Sequence, residues 1–464
     1  MRTITLIFLL FAQWCFSQSI ETIDHHGTKT SIEHLLQQYI QINSLSGEEK
    51  EAGDFLKKIC KENGLYISDF GNTNGNYNFA ASAYPLDSNK PNIVFLHHLD
   101  VVPETGTNNS VYPGQIKDDI IFGRGAIDNK GVGLMQLFSI IHTAKSHSDN
   151  EQNYNITFLA VSCEETQCEG GVSYVIDNHL NELNPAVIIG EGPSELTAII
   201  GGEFKNSIFG VSVAHKRPFW LRLELEVETI GHGSITPISY ANRDMVEALD
   251  KLTKKKAKIY FTDLNTGILK GLGYHKKGFE KLALTNPNLF KSLLTPKLRK
   301  QPELLALFTN TITLTNISSN NEIHNIIPTK TVALLDCRLL PETDEKEFLK
   351  MTKQLLDNDD IKITVVKNMP RTIPSDPDSQ YFKKYKEAIK KYNPTSEIIP
   401  ILVPNVNDLG AFRAKGIPSY GSIPVHLTRY ELESIHNLNE HISIPLLYDG
   451  AKTYLNFIER MQGI

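Results

Sequence analysis

Four motifs hold the residue types that could do chemistry together: His98 and Asp100 in HLDVVP (98–103), Asp128 in GRGAIDNKG (123–131), Glu164 and Glu165 in SCEETQCEGG (162–171), and Glu191 in IIGEGP (188–193). Divalent zinc accepts imidazole nitrogen and carboxylate oxygen. A carboxylate held in a turn can bridge two cations, and Asp128 is the candidate for that place. Two cations about 3.5–4 Å apart can polarise a carbonyl and deprotonate a shared water. Of two adjacent glutamates, one can ligate while the other carries the water's proton to a leaving amine.

Each motif has an ordinary reading too. A His-x-Asp is commonly a surface turn, a Glu-Glu pair a solvated helix face, and Asp128 could cap the helical pattern that starts at Lys130. Their order and placement weigh against coincidence. His98 follows the apolar run Ile93 to Leu96, the glutamate pair follows Ile156 to Val161, and Glu191 follows Ala186 to Ile189. Such runs read as buried strands, and in open α/β sheets sites form past the carboxyl ends of the strands.

From about Ser31 to the C-terminus the chain resembles the dinuclear zinc amidohydrolases that include acetylornithine deacetylase, succinyl-diaminopimelate desuccinylase, aminoacylase, carnosinase and glutamate carboxypeptidase. The resemblance implies two Zn²⁺ per chain, with Co²⁺ or Mn²⁺ as substitutes. His98 and Asp128 then ligate one metal, with Asp128 as the bridge. Glu165 and His436, the latter from SIHNLNEHIS (434–443), ligate the second, and Glu191 stands where the family places an acidic ligand. Glu164 takes the place of the general base. Asp100 is the acid that orients His98 from behind. His436 would otherwise be an exposed loop histidine, and Glu440 beyond it could cap or orient that loop. NDLGAFRAKGIP (407–418) resembles a family segment beside the site, with Asn407-Asp408 where the family more often has Thr-Asp.

The elements that must position these groups alternate strand and helix to about residue 205, which predicts an α/β fold with a mostly parallel sheet. Helices are expected at Ser31 to Leu45 and at Glu48 to Asn63, the latter ended by Gly64, with a loop over Gly71 to Asn78. The pattern then changes. Strands are expected at Leu221 to Glu228, Ile312 to Ile317, Lys330 to Leu340 and Lys362 to Val366. Helices fall near Tyr240 to Lys256 and Thr343 to Asp357. Strand, helix, two strands, helix, strand is a small α+β unit, expected at 208–369 as an insertion between two parts of the catalytic domain, 18–207 and 370–464. Residues 257–310 suggest no role. The first domain resumes with helix 378–391, strand 397–403 and a C-terminal helix ending at Met461.

In the resembled family the inserted unit is a lid that usually forms a dimer contact. His232 in GHGS (231–234) resembles the histidine that stabilises the tetrahedral oxyanion, supplied in the dimeric members by the partner's lid; it could also be a simple turn histidine. Asn325 and Arg338 match residues that hold the substrate's terminal carboxylate, a role for which a guanidinium fork is suited. Arg338 could instead pair with Asp336 or Glu342.

Length and composition bound the rest. The 464 residues, 41% of them apolar, suffice for two or three domains, and a net charge of −6 gives a nucleic-acid partner no electrostatic support. Residues 1–17 read as a signal peptide, with Arg2, an apolar stretch from Ile4 to Ala12 and a small-residue cleavage site, which implies a secreted or periplasmic protein. That stretch is too short for a stable span, and no later segment could cross a bilayer. Four cysteines remain after cleavage, too few for a disulfide scaffold. Cys163 and Cys168 flank the glutamate pair, and packing or a local disulfide explains them better than zinc ligation. The sequence thus points to a homodimeric zinc carboxypeptidase or dipeptidase acting on small peptides with a free carboxylate. The alternatives are a hydrolase of N-acyl amino acids and an inactive binding protein on the same fold.

Overall fold

The computed structural model describes residues 20–71, 76–103, 113–146, 152–196, 207–229 and 231–463. The expected signal peptide, residues 1–17, lies outside them. Among the described residues no helix is long and apolar enough to cross a membrane.

The strands in chain order are β1 (Thr22–His25), β2 (Thr28–Ser31), β3 (Tyr66–Asp69), β4 (Phe79–Ser82), β5 (Asn92–His98), β6 (Gln115–Lys117), β7 (Ile120–Phe122), β8 (Asn155–Val161), β9 (Pro185–Gly190), β10 (Ile208–His215), β11 (Arg217–Glu226), β12 (Thr311–Ser319), β13 (Lys330–Leu339), β14 (Lys362–Asn368), β15 (Glu397–Val403), β16 (Ser419–Gly421) and β17 (His441–Ser443). Eight of them form the main sheet in the order β15-β10-β16-β9-β5-β8-β4-β3. Its centre, β16-β9-β5-β8, is parallel, while β4 and the β10–β15 pair run the other way.

The apolar runs become strands because both faces of the sheet are covered. Along β5, Ile93 and Phe95 join one core with Ile156 and Phe158 of β8. Their neighbours Val94 and Leu96 join another with Leu159 and Val161. This period of two sends successive side chains to opposite faces. The first face is closed by helices Ile32–Gln41, Lys130–Ser146, Gln380–Tyr392 and Ile444–Gln462, and the second by Val172–Leu183 and Leu409–Ala414. Helix Lys130–Ser146 is buried almost all round, as a helix apolar on every side must be. It crosses β5 so closely that a Cβ on Gly133 would lie 2.4 Å from the His97 ring.

The inserted unit is a four-stranded antiparallel sheet ordered β12-β13-β11-β14. Leu221, Leu223 and Leu225 of β11 and Ala333 and Leu335 of β13 face helices Ala241–Lys254 and Glu345–Leu356 and close one core. Two features differ from the expected layout. First, β10 lies inside the expected 208–369 unit but pairs with β15 in the main sheet; strand partners, which local patterning does not encode, decide this. Second, the helices of 263–306 leave the four-stranded sheet. Ile268, Leu269 and Leu272 pack with Ile399, Ile401 and Val403 on β15.

Candidate metal centre

The groups singled out by type converge at one end of the parallel strands. His98 is the last residue of β5, Glu164 and Glu165 follow β8, and Glu191 directly follows β9. Asp128 comes from the turn ahead of helix Lys130–Ser146, after a cis Asp128–Asn129 peptide bond. His436 arrives from the loop between helix Arg429–Ser434 and β17.

Asp128 lies between the two imidazoles. Its Oδ1 is 3.1 Å from His98 Nε2 and its Oδ2 3.2 Å from His436 Nε2. Glu191 Oε2 stands 3.2 Å from His98 Nε2, and Glu165 Oε1 3.2 Å from His436 Nε2. Two trios of donors result, His98–Asp128–Glu191 and Asp128–Glu165–His436, each with its atoms within 4.8 Å of one another. Glu164 sits with His98, Glu191, Asn407 and Asp408 around a small pocket.

A supporting layer fixes these groups. Asp100 is fully buried and accepts hydrogen bonds from the backbone N–H of Glu164 and of Glu165, both at 3.0 Å, and from the Ser46 hydroxyl at 2.7 Å. His98 Nδ1 lies 3.0 Å from the Asp100 carbonyl oxygen and 3.4 Å from its carboxylate, which leaves Nε2 turned to Asp128 and Glu191. Glu49, which the sequence did not single out, accepts the Cys163 N–H at 3.0 Å from beneath the glutamate loop. Cys163 and Cys168 are joined in a disulfide that brackets the glutamate pair. Asn407 Nδ2 donates to the Glu191 carbonyl at 3.2 Å. Glycine beside Glu191 has a steric reason: a Cβ on Gly192 would lie 2.5 Å from the Gly421 backbone. Lys130, also missed, is buried and donates to the carbonyls of Tyr39 and Ile42; burial lowers its ammonium to about 7, against the pull of Glu440.

The electrostatics are those of acids crowded out of water. Burial and the Glu191 charge push Glu164 well above the carboxylate range. Burial and Asp128 raise Glu191 to about 7, and burial raises Asp408 to about 8. Burial would raise Asp128 as well, but hydrogen bonds from His436 and His98 hold it low. The same contacts from Asp128 and Glu165 lift His436 to about 10. Glu165 Oε1 is buried without a hydrogen-bond partner. Such a donor set fits two divalent cations, whose charge satisfies oxygens that protons now neutralise.

The three lid residues stand apart from this cluster. His232 and Asn325 lie together in the lid, where His232 bridges to Ile326 and Gly233 N–H donates to the Asn325 carbonyl at 2.9 Å. Both are exposed. Arg338 on β13 forks onto Asp336 through Nε at 2.8 Å and Nη2 at 3.0 Å, the ion pair its sequence neighbours allowed.

A profile of peptidase family M20/M25/M40 matches residues 94–460, which spans every candidate ligand. The chain belongs to this family of metal-dependent hydrolases. It is 24% identical over 377 residues to the human N-fatty-acyl-amino acid synthase/hydrolase PM20D1, covering 79% of this chain and 73% of the relative. It is 23% identical over 396 residues to the probable carboxypeptidase S-like 2 of Dictyostelium discoideum, covering 83% and 75%. Its fold matches the metallo-carboxypeptidase Sso-CP2 of Sulfolobus solfataricus with a TM-score of 0.69 at 21% identity, covering 94% and 100% of the two chains. Human carnosine dipeptidase 1 matches with a TM-score of 0.61 at 15% identity, covering 93% and 97%.

Proposed function

We propose that this M20 metallohydrolase cleaves the amide bond of small peptides or N-acyl amino acids that keep a free α-carboxylate. The observation that carries the reading is Asp128, shared between two donor trios, with Glu164 set beside them on the same loop as Glu165. His98, Asp128 and Glu191 would hold one Zn²⁺, and Asp128, Glu165 and His436 the other. The cations supply Lewis-acid polarisation of the scissile carbonyl and an acidified water.

The protein's own residues do the rest. Glu164, buried and unattached to either trio through Asp128, takes the attacking water's proton and returns it to the departing amine. Asp100 keeps His98 in the tautomer that presents Nε2 and holds the Glu164–Glu165 backbone in place. Asn325 and Arg338 bind the substrate carboxylate, with Asp336 holding the guanidinium plane. His232 donates to the developing oxyanion from the lid of a second subunit. Support for a homodimer comes from β12, an outer strand whose Leu314 and Ile317 are exposed, since an unpaired apolar edge invites pairing. The N-terminal composition supports a secreted or periplasmic setting.

The test is a zinc-reconstituted enzyme against dipeptides and N-acyl amino acids. Two cations per chain and hydrolysis of at least one panel are expected, and Glu164→Ala should keep its metal but lose about 10²–10⁴-fold in turnover. If Glu164→Ala loses metal instead, the base and ligand roles are exchanged. One cation or fewer per chain with all five ligands intact, or no hydrolysis of any panel, would sink the reading.

A further inference from the structure

A cavity of about 570 Å³ opens directly from the metal cluster: Asp128, Glu191 and His436 form one end of its wall. The other end is aliphatic. Ile401 and Val403 of β15, Leu196, and Ile268, Leu304 and Leu307 of the 263–308 segment line it. These six side chains belong to the core that fastens that segment to the main sheet. The volume is in the range of small-molecule sites.

The lining tells which end of a substrate belongs there. No Lys or Arg is among the lining residues, whereas two carboxylates are, so a substrate carboxylate is unwelcome. No aromatic ring lines the wall either. The polar groups nearest the cluster are already engaged: Ser194 donates to the Val425 carbonyl at 2.6 Å and Asn407 to that of Glu191. A peptide extending into the cavity would leave its own amides unpaired there.

We infer that this cavity is a subsite for a flexible aliphatic acyl chain, and that the helical segment 263–308 sets the chain length through Ile268, Leu304 and Leu307. The inference rests on the proposed amide hydrolysis and narrows its substrate to N-acyl amino acids with medium or long chains. Water's hydroxyl goes to the acyl carbon, its proton to the amine, and a fatty acid and an amino acid leave. The carboxylate end of the substrate points away from the cavity, and the acyl end fills it.

The experiment uses an N-acylglycine series from acetyl to hexadecanoyl, with dipeptides bearing aliphatic or aromatic N-terminal residues for comparison. For the zinc-loaded enzyme, kcat/KM should rise about threefold to fourfold per added methylene until the cavity is full. Zinc-loaded Glu164→Ala, which binds without turning over, should show the same trend in Kd by calorimetry. Leu304→Trp should lower the dodecanoyl-to-acetyl ratio of kcat/KM by about tenfold or more, the loss of roughly two methylenes of burial. Leu304→Ala should move the optimum to longer chains, which keeps the test open if the tryptophan variant does not fold. Flat chain-length dependence in both kcat/KM and Kd, or a preference for aromatic dipeptides, would overturn the subsite while leaving the hydrolase reading intact. Length-dependent binding without cleavage of any substrate would uphold the subsite and overturn the hydrolase reading.

Discussion

Glu440 Oε1 accepts the backbone N–H of Asp128 at 3.0 Å across 312 residues of sequence, and that of Ile127 at 2.9 Å. Its Oε2 takes a hydrogen bond from Arg124 at 2.9 Å. Glu440 is 1% exposed and lies four residues beyond His436, so a single carboxylate ties the His436 loop to the turn that carries Asp128.

The first prediction follows from this tie. Glu440→Gln keeps the shape but turns an amide donor toward groups that already donate. Affinity for both cations should fall about 10–100-fold, as is usual when an outer partner of a ligand is lost. Competition with a chelator measures it, and an unchanged affinity would show that the Asp128 turn holds itself.

The Cys163–Cys168 disulfide closes a short loop, separation 5, around the two glutamates. By chain entropy a loop of this size contributes roughly 2 kcal/mol. The double serine variant should unfold earlier in denaturant by about that amount and bind the Glu165-side cation less tightly. Thiol reductants should have the same effect on the parent protein and none on the variant. Full metal content in the parent after complete reduction, shown by thiol titration, would rule out a positioning role.

His232 acting across a dimer predicts complementation. His232→Ala and Glu164→Ala chains, each inactive alone, should regain activity on mixing, because one site of each heterodimer is whole. Loss of one oxyanion donor in the remaining sites costs about 2.7–4 kcal/mol of transition-state stabilisation. A monomer by sedimentation, or exchange of subunits without rescue, would assign His232 to its own chain or to a turn.

His215 gives a pH prediction away from the metal. It is buried against Arg413, 3.3 Å away, and burial together with that guanidinium lowers its imidazole to about 3. Between pH 3 and its ordinary value near 6.5, the unfolded chain binds a proton that the folded chain does not, so stability falls as pH falls through that window. The slope contributed is at most about 1.4 kcal/mol per pH unit. Denaturant titrations at pH 7 and pH 5 should show this loss, and His215→Gln should flatten it. Parallel pH profiles of parent and variant would locate the acid sensitivity elsewhere.

What the sequence determined by itself is local. The continuous apolar runs ending in His98, Glu165 and Glu191 became strands within a residue or two of their expected ends, because burial on both faces demands such runs wherever they lie. The alternating β11 and β13 were equally legible, since one face of their sheet meets helices and the other does not. The types of the candidate ligands, and the pairing of Arg338 with Asp336 two residues away, needed no fold to be seen. Tertiary structure decided everything that joins distant segments. The reversal of β10 and β15 depends on pairing partners rather than on propensity. The place of residues 263–306 depends on β15, about a hundred residues onward. So does the meeting of Asp128 with His436 and Glu440, and the apolar cavity beside them. Local pattern records whether a side chain is buried; only closure of the chain settles against what.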